Sequence, residues 1–478
     1  MGKTYLPYDP DQLLLLPPSL RDWLPEGHLA YFISDAVDQL EMVSIYAVYE
    51  KEARGQLPYH PQMLVKILLY GYCKGVASSR KIAKACEEDI GFRILAAGNH
   101  PDFRTISDFR KRHLKALAGL FVEVLRLCQN AGLVKLGHVA LDGTKMKANA
   151  SKHKAMSYGR ILKREEELKK EVDELLRRAQ SVDNQEDQQY GKDIRGDELP
   201  KELAFRATRL KRLREAKAAL EERAKAEMLE KAEKANQKKK AMQGVAVKKT
   251  PQDVTPETPM VCNAVEVREK SQYNFTDPQS RIMLSGTKSF EQAYNCQAVV
   301  DATAQVIVAC DVTQAANDKE QLEPMMMRVK ENLGFLPDQA SADTGYWSED
   351  KIEALAKTGI DLFIPPEKLP KRRNILMLPT LVTTDEPMTS KEKMRAKLST
   401  PEGRSIYSKR KETVEPGFGQ IKQARGFRQF SFRGKEKVKD EWSLICLTHN
   451  LLKLWRHERK TSLKAQKDKT KTQKISLN

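Results

Sequence analysis

"GHVALDG", residues 137–143, is where the chain changes period. Before it, apolar residues recur at helical spacing, as in "HLAYFISDAVDQL" (28–40) and "HPQMLVKILLYGYCKG" (60–75). "SSRKIAKACEED" and "TISDFRKRHLKALAGLFVEVLRLCQNAGL" continue the pattern, with Ser79 and Thr105 or Ser107 as expected caps and Gly132 as an expected stop. Residues 1–135 therefore read as a helical N-terminal domain. Its short helices resemble a helix-turn-helix cluster, in which Arg80, Lys81, Arg104, Arg110, Lys111 and Arg112 would bind DNA ends. An ordinary helical bundle explains the same pattern equally well. "GHVALDG" itself reads as a short apolar strand that ends in an acid, Asp142.

Outward from that strand, residues 149–271 are charged and helix-prone. Ile161, Leu168 and Leu175 recur every seven residues, which predicts a helix of about 20 residues. A polar break and a second helical run over about 201–241 make a helical-hairpin insertion. Strand signals then return. "YNCQAVVDA" and "QVIVACDVTQ" flank Thr303–Ala304 as a hairpin. "NDKEQLEPMMMRVKENLG" reads as a helix capped by Asn317 or Asp318 and stopped at Gly334. "QASADTGYW" is a strand ending in Asp343, "SEDKIEALAKTG" a helix capped by Ser348, and "IDLFIPPE" a strand stopped by two prolines. Residues 368–400 look irregular, "KDEWSLICLTHNLLKLWRH" is an amphipathic helix, and 461–478 a disordered basic tail. Without the insertion, three strands followed by alternating helix and strand predict an α/β fold, a mixed sheet with flanking helices.

The charge is concentrated. The net charge is +18, and residues 401–478 carry 20 Lys/Arg against 8 Asp/Glu, two-thirds of the excess in the last sixth of the chain. Such a field suits a polyanion, and nucleic acid comes first. No long apolar span argues for a membrane, and no secretory leader is legible at the start. Seven scattered cysteines without a CxxC pair read as reduced thiols in a cytoplasmic chain. Phosphate-loop, dinucleotide and nucleophile-elbow patterns are absent.

Three carboxylates take informative places in this order: Asp142 and Asp343 at strand ends, and Glu415 in "KRKETVEPGFGQIKQARGFRQFSFR" (409–433). Singly each has a bland explanation, since Asp-Gly and Asp-Thr-Gly are common turns and Glu415 is equally an exposed helical acid. As a converging set without histidine they suit hard Mg²⁺ or Mn²⁺, and two such ions can clamp a phosphodiester. The basic residues around Glu415 would hold the phosphate backbone.

On "YHPQMLVKILLYGYCKG…DFRTISDFRKRH", "VALDGTKMKANAS", "AYNCQAVVD", "ADTGYW" and "TVEPGFGQIKQARGFRQFSFRG", the chain resembles a bacterial insertion-sequence transposase of the DDE class. The likeness covers most of residues 15–455. It implies a ribonuclease H-like catalytic core over 136–148 and 272–460, with Asp142, Asp343 and Glu415 as metal ligands. Related transposases have a Tyr–Arg–Glu–Lys signature with Arg four and Tyr seven before the Glu, and Lys seven after. Counted from Glu415, the Lys place holds Lys422, the Arg place Lys411 and the Tyr place Ser408, while Tyr407 and Arg410 stand one position off. Counted from Glu412, the Lys place is Gly419 and the pattern fails. Tyr407, Arg410, Lys411, Lys422, Arg425 and Arg428 are the expected DNA contacts. Pro416 predicts a kink or a fresh helix start beside Glu415.

The resemblance further implies double-stranded DNA partners (terminal inverted repeats and a target), a homo-oligomer and work on the bacterial nucleoid. The alternatives are a metal-dependent nuclease without strand transfer and a catalytically dead DNA-binding derivative.

Overall fold

The computed structural model describes residues 19–49, 57–151, 154–190, 201–243, 267–286, 289–367 and 388–475. The chain divides into two compact units, Met1–Asn149 with Met283–Asn478, and Ala150–Ile282.

Among the described residues of the first unit, seven α-helices precede the sheet: α1 (Leu29–Asp38), α2 (Val43–Tyr49), α3 (Pro61–Cys73), α4 (Ser79–Glu88), α5 (Ile90–Leu95), α6 (Phe103–Arg112) and α7 (Leu114–Asn130). The helical expectation for this region stands, with two adjustments at the termini. Helix α4 starts at Ser79 with Ser78 as its cap, and α6 is capped by Asp102, whose carboxylate accepts from the Arg104 N–H at 2.8 Å. An aspartate placed at the N-cap satisfies a free amide of the first turn, so the helix begins before Thr105. Gly132, with φ +74°, follows the end of α7 as expected.

The sheet is built on β1 (His138–Lys147), which is ten residues long rather than seven. Asp142 and Gly143 lie inside it, paired with Ala298 and Gln297 of β5. The turn expected at Asp-Gly does not form, because β5 (Phe290–Asp301) supplies partners out to Lys147.

In the second unit, β2 (Ala155–Ser157) leads into α8 (Tyr158–Tyr190), then α9 (Lys201–Gln243), and β3 (Gln272–Asn274) returns to pair with β2. The hairpin expected from the heptad spacing is present, with a first helix longer than predicted. Ile161, Leu168, Leu210, Leu213, Ala216 and Leu220 form its buried seam.

The chain re-enters the first unit through β4 (Arg281–Leu284), a short edge strand. Strands β5 and β6 (Ile307–Thr313) are the expected hairpin. Helix α10 (Leu322–Leu333) follows, capped at its end by left-handed Gly334. It starts four residues after Asp318, whose carboxylate instead accepts from the Asn295 and Gln297 side chains. Next come β7 (Gln339–Ser341), α11 (Glu349–Ala356) and β8 (Asp361–Phe363). In the sheet β4 and β6 both pair with β5, and β1, β7 and β8 follow; β6, β5 and β1 are antiparallel, and β1, β7 and β8 run parallel. The architecture is α/β with a mixed sheet.

Three helices close the unit: α12 (Ser390–Ser399), α13 (Pro401–Gly419) and α14 (Lys435–Ile475). The irregular stretch expected over 368–400 lies outside the described residues up to 387, and its end is helical. A reciprocal capping box between Thr389 and Glu392 starts α12. Pro416 neither ends α13 nor starts a new helix. The helix runs through it to Gly419 and passes into one π-helical turn, Gln420–Ala424. Residues 461–475, expected as disordered tail, continue α14.

Helix α14 carries much of the core. It packs on α3, α7 and β6, with Trp442, Leu444, Ile445, Leu447 and Leu451 fully buried. Buried Asn450 bonds both ways to the backbone of Ile307, at 2.8 Å each. Six cysteines are buried and free, and the seventh, Cys262, lies outside the described residues.

Candidate active site

Two of the three expected carboxylates are brought together by sheet register. Ala140 of β1 pairs in parallel with Ser341 of β7. Asp142 and Asp343 each lie two residues beyond that pair, on adjacent strands running the same way. Asp343 leaves the sheet at once. Its Oδ1 accepts from the Gly345 N–H at 2.8 Å, which caps the short 3-10 turn Thr344–Tyr346. Asp142 Oδ1 accepts from its neighbour, the Gly143 N–H, at 2.8 Å.

The Asp142 carboxyl is pushed up to about 6. Burial is the main cause. The Arg410 guanidinium and the Gly143 N–H oppose it, and the negative charges of Asp343 and Asp318 add to it.

Helix α13 lies over β1 and supplies the counter-charge. Arg410 Nη1 is 3.3 Å from Asp142 Oδ2 in a largely buried pair. The Arg410 guanidinium lies 6.0 Å from the centre of the Tyr407 ring. Burial works against the Arg410 charge, but Asp142 and Tyr407 outweigh it and the guanidinium is held more firmly protonated. Beyond the end of α13, Lys422 donates to the Lys145 carbonyl at 2.8 Å and to the Thr144 hydroxyl, so it stitches the π-helical turn to β1.

The signature is thus offset by one residue from the spacing counted back from Glu415. Tyr407 and Arg410 meet the aspartates, whereas Ser408 and Lys411 are exposed. Arg410, Val414 and Gly417 share the buried side of α13. Glu415, five residues after Arg410 and about 140° further round the helix, is exposed. Glu412 is exposed too, and its backbone carbonyl accepts from Gln305.

Among the described residues, no three His, Cys, Asp or Glu side chains stand close enough together to hold a metal ion. The structure gathers Asp142 and Asp343 and leaves Glu415 apart from them. In kind, the donors at the pair are carboxylate oxygens, which fit Mg²⁺ or Mn²⁺ and not a thiolate-bound metal. A buried acceptor nearby points the same way: Asn295 Oδ1 has no hydrogen-bond partner among the described residues.

The remaining expected DNA contacts divide. Lys411 and Arg428 are exposed, the latter donating to the Lys422 carbonyl at 3.2 Å. Arg425 is a correction. It is 6% exposed and spends its guanidinium on the Thr448 hydroxyl at 2.7 Å and on the Ile445 and Tyr72 carbonyls at 3.1 and 3.4 Å. Burial pulls its pKa down to about 10. It ties α3 to α14 and offers no cation to a phosphate. Arg110 is corrected for the same reason, since its buried guanidinium donates to the Ala77 carbonyl and the Tyr72 hydroxyl. Arg80, Lys81, Arg104, Lys111 and Arg112 are exposed.

Sequence reasoning missed Asn295, Gln297, Asp318 and Tyr346. The signal was present in "YNCQAVV", where two amides interrupt an otherwise apolar strand at alternate positions, hence on one face.

Fold and site define a class, an α/β protein with one aspartate on a strand and a second just beyond the neighbouring strand, under a helix that supplies an arginine. Comparison with known families agrees with it. A transposase domain (DUF772) matches residues 18–112, and a transposase DDE domain matches residues 379–455. The two matches, in this order on one chain, support an insertion-sequence transposase of the DDE class. No curated protein and no solved structure matches the chain. Among the described residues no helix is long and apolar enough to cross a membrane.

Proposed function

We propose that the protein cleaves the ends of an insertion sequence and joins them to target DNA, with Asp142, Asp343 and Glu415 as the acidic residues of the reaction. The observation that carries this reading is the parallel register that sets Asp142 beside Asp343 beneath Tyr407 and Arg410, in a chain that matches a transposase DDE domain. The sheet order supports a ribonuclease H-like core. With the short edge strand β4 set aside, its strands lie three, two, one, four, five in chain order, antiparallel first and parallel after.

Asp142 and Asp343 would hold divalent cation, Mg²⁺ or Mn²⁺, and Glu415 would join them from α13. When bound, such ions supply Lewis acidity that activates an attacking oxygen and stabilises a leaving oxygen at a phosphodiester. The chain's own contribution is positioning. Arg410 offsets the buried charge of Asp142, and Lys422 fixes the end of α13 against β1. Lys411 and Arg428, both exposed, hold the DNA backbone. The exposed cations of α4 and α6 are its second contact, on the terminal repeats. The working form is a homo-oligomer on DNA. The domains follow the sequence limits given above, with the insertion at 149–271 separating two parts of one catalytic region.

The test is Mg²⁺-dependent cutting of a duplex carrying the element's end. Wild type should cut, and Asp142→Asn, Asp343→Asn and Glu415→Gln should not. A Glu415→Gln protein that cuts like wild type removes Glu415 from the site. Joining of the labelled end to a target duplex separates a transposase from a nuclease with the same core. No cutting by wild type would favour the catalytically dead derivative.

A further inference from the structure

A third aspartate stands at the same place, and its surroundings are built. Asp318 follows the β5–β6 hairpin. Its Oδ1 accepts from the Asn295 side chain at 2.6 Å and the Gln297 side chain at 2.7 Å, and its Oδ2 lies 3.7 Å from Lys145 Nζ. Gln297 in turn accepts from the buried Tyr346 hydroxyl, three residues beyond Asp343. The network therefore reaches from β5 to the turn that carries Asp343.

Two glycines let these side chains approach the backbone closely. A Cβ on Gly143 would lie 2.6 Å from Gln297 Nε2, 2.9 Å from Asp318 Oδ1 and 3.1 Å from Asn295 Oδ1. A Cβ on Gly345 would lie 2.9 Å from Asp343 Oδ1 and 3.8 Å from Asp318 Oδ2. The carboxylates of Asp343 and Asp318 thus flank one side-chain-free position, and Asp318 and Asn295 flank the other, next to Asp142. Asn295 is fully buried, and its Oδ1 faces the Gly143 position with no donor among the described residues. A buried carbonyl oxygen without a donor, beside three carboxylates that face two cations, Arg410 and Lys145, leaves an acceptor and a negative charge that a bound cation completes.

We propose that Asp318 is a positioning residue of the acidic site, whose charge, held with the Asn295 carbonyl close against Gly143 and Gly345, helps capture the divalent cation at Asp142 and Asp343. It rests on the proposed metal-dependent function of that site. Asp318 acts through charge and is not one of the two aspartates that hold the ion.

The experiment measures Mn²⁺ binding to the full chain, by the paramagnetic signal of free Mn²⁺, with no DNA and no turnover. Asp318→Asn keeps an oxygen that can accept from Asn295 and Gln297 and removes only the charge. It should weaken Mn²⁺ binding about tenfold while thermal unfolding without metal stays near wild type. Asn295→Ala should weaken binding as well. Unchanged Mn²⁺ affinity in a folded Asp318→Asn protein overturns the inference. Asp142→Asn serves as the separate control. If it abolishes binding while Asp318→Asn does not, only the role of Asp318 falls. If Asp142→Asn also binds normally, the metal reading of the whole site falls. A second measurement needs no variant: Fe²⁺ substituted for Mn²⁺, with added hydrogen peroxide as oxidant and ascorbate as reductant to generate hydroxyl radical, should cut the wild-type backbone near Gly143, Gly345 and Asp318. Cutting at the first two without the third overturns the inference.

Discussion

Arg410 Nη1 and Asp142 Oδ2 lie 3.3 Å apart across 268 positions of sequence, and this pair fixes α13 over β1. Removing one partner of a buried pair leaves the other charge uncompensated. Arg410→Ala should therefore destabilise the fold by roughly 3 kcal/mol at pH 8. The loss should shrink by pH 5. Without its cation the Asp142 carboxyl, already raised to about 6, rises further and takes up a proton instead. Thermal unfolding at the two pH values checks both parts.

Asp142→Asn should act in the opposite direction. The folded pKa of Asp142, about 6, is above its ordinary value of 3.8. The folded chain thus keeps a proton that the unfolded chain releases, and stability falls as pH rises from about 4 to about 6. Above that window the ionised carboxylate costs at most roughly 3 kcal/mol. Asparagine removes the cost, so the variant should unfold at a higher temperature than wild type at pH 8 and at a similar one at pH 4. Added Mg²⁺ should raise the unfolding temperature of wild type and not of this variant.

Arg425 and Lys411 should separate stability from DNA affinity. Arg425 is buried and bonded to three acceptors. Arg425→Ala should cost about 3 kcal/mol or more by removing three hydrogen bonds from a buried guanidinium and emptying the space it fills. Lys411 is exposed on α13. Lys411→Ala should leave unfolding unchanged and lower the dependence of log K on log salt by about 0.9, the signature of one lost phosphate contact. Filter or fluorescence binding at several salt concentrations reads that slope.

Gly75→Ala tests how closely the N-terminal helices fit the basic segment. Gly75 has φ +78°, and an added Cβ would lie 2.4 Å from the Arg425 carbonyl oxygen. Left-handed backbone costs an alanine roughly 1 kcal/mol, and the backbone clash adds to it. A loss above about 2 kcal/mol in urea unfolding is expected, whereas Gly119→Ala, with open space at its Cβ, should be close to neutral or stabilising.

Local patterning made much of the fold legible. Helical spacing in 28–130, the hairpin at 303–305 and the stop at Gly334 are short-range features, and the structure contains each of them. The errors fell where a distant partner decided. Asp-Gly at 142–143 reads as a turn until β5 pairs with it, and Asp318 reads as a helix cap until Asn295 and Gln297 take its carboxylate. Pro416 reads as a kink or a fresh helix start, and no fresh helix starts there because α13 continues through it. Arg425 reads as one more cation in a basic run, while tertiary packing buries it.

By itself the sequence determined the local elements, the helices over 28–130 and the strands that carry Asp142 and lead to Asp343, because side-chain type and periodicity are properties of neighbouring residues. Only the tertiary structure decided that Tyr407 and Arg410 rather than Ser408 and Lys411 face Asp142, that Glu415 is exposed, and that Asp318 stands with the other two aspartates. Those outcomes depend on helix rotation against a sheet and on strand register. Packing over long sequence separations sets both, and no local spacing encodes them.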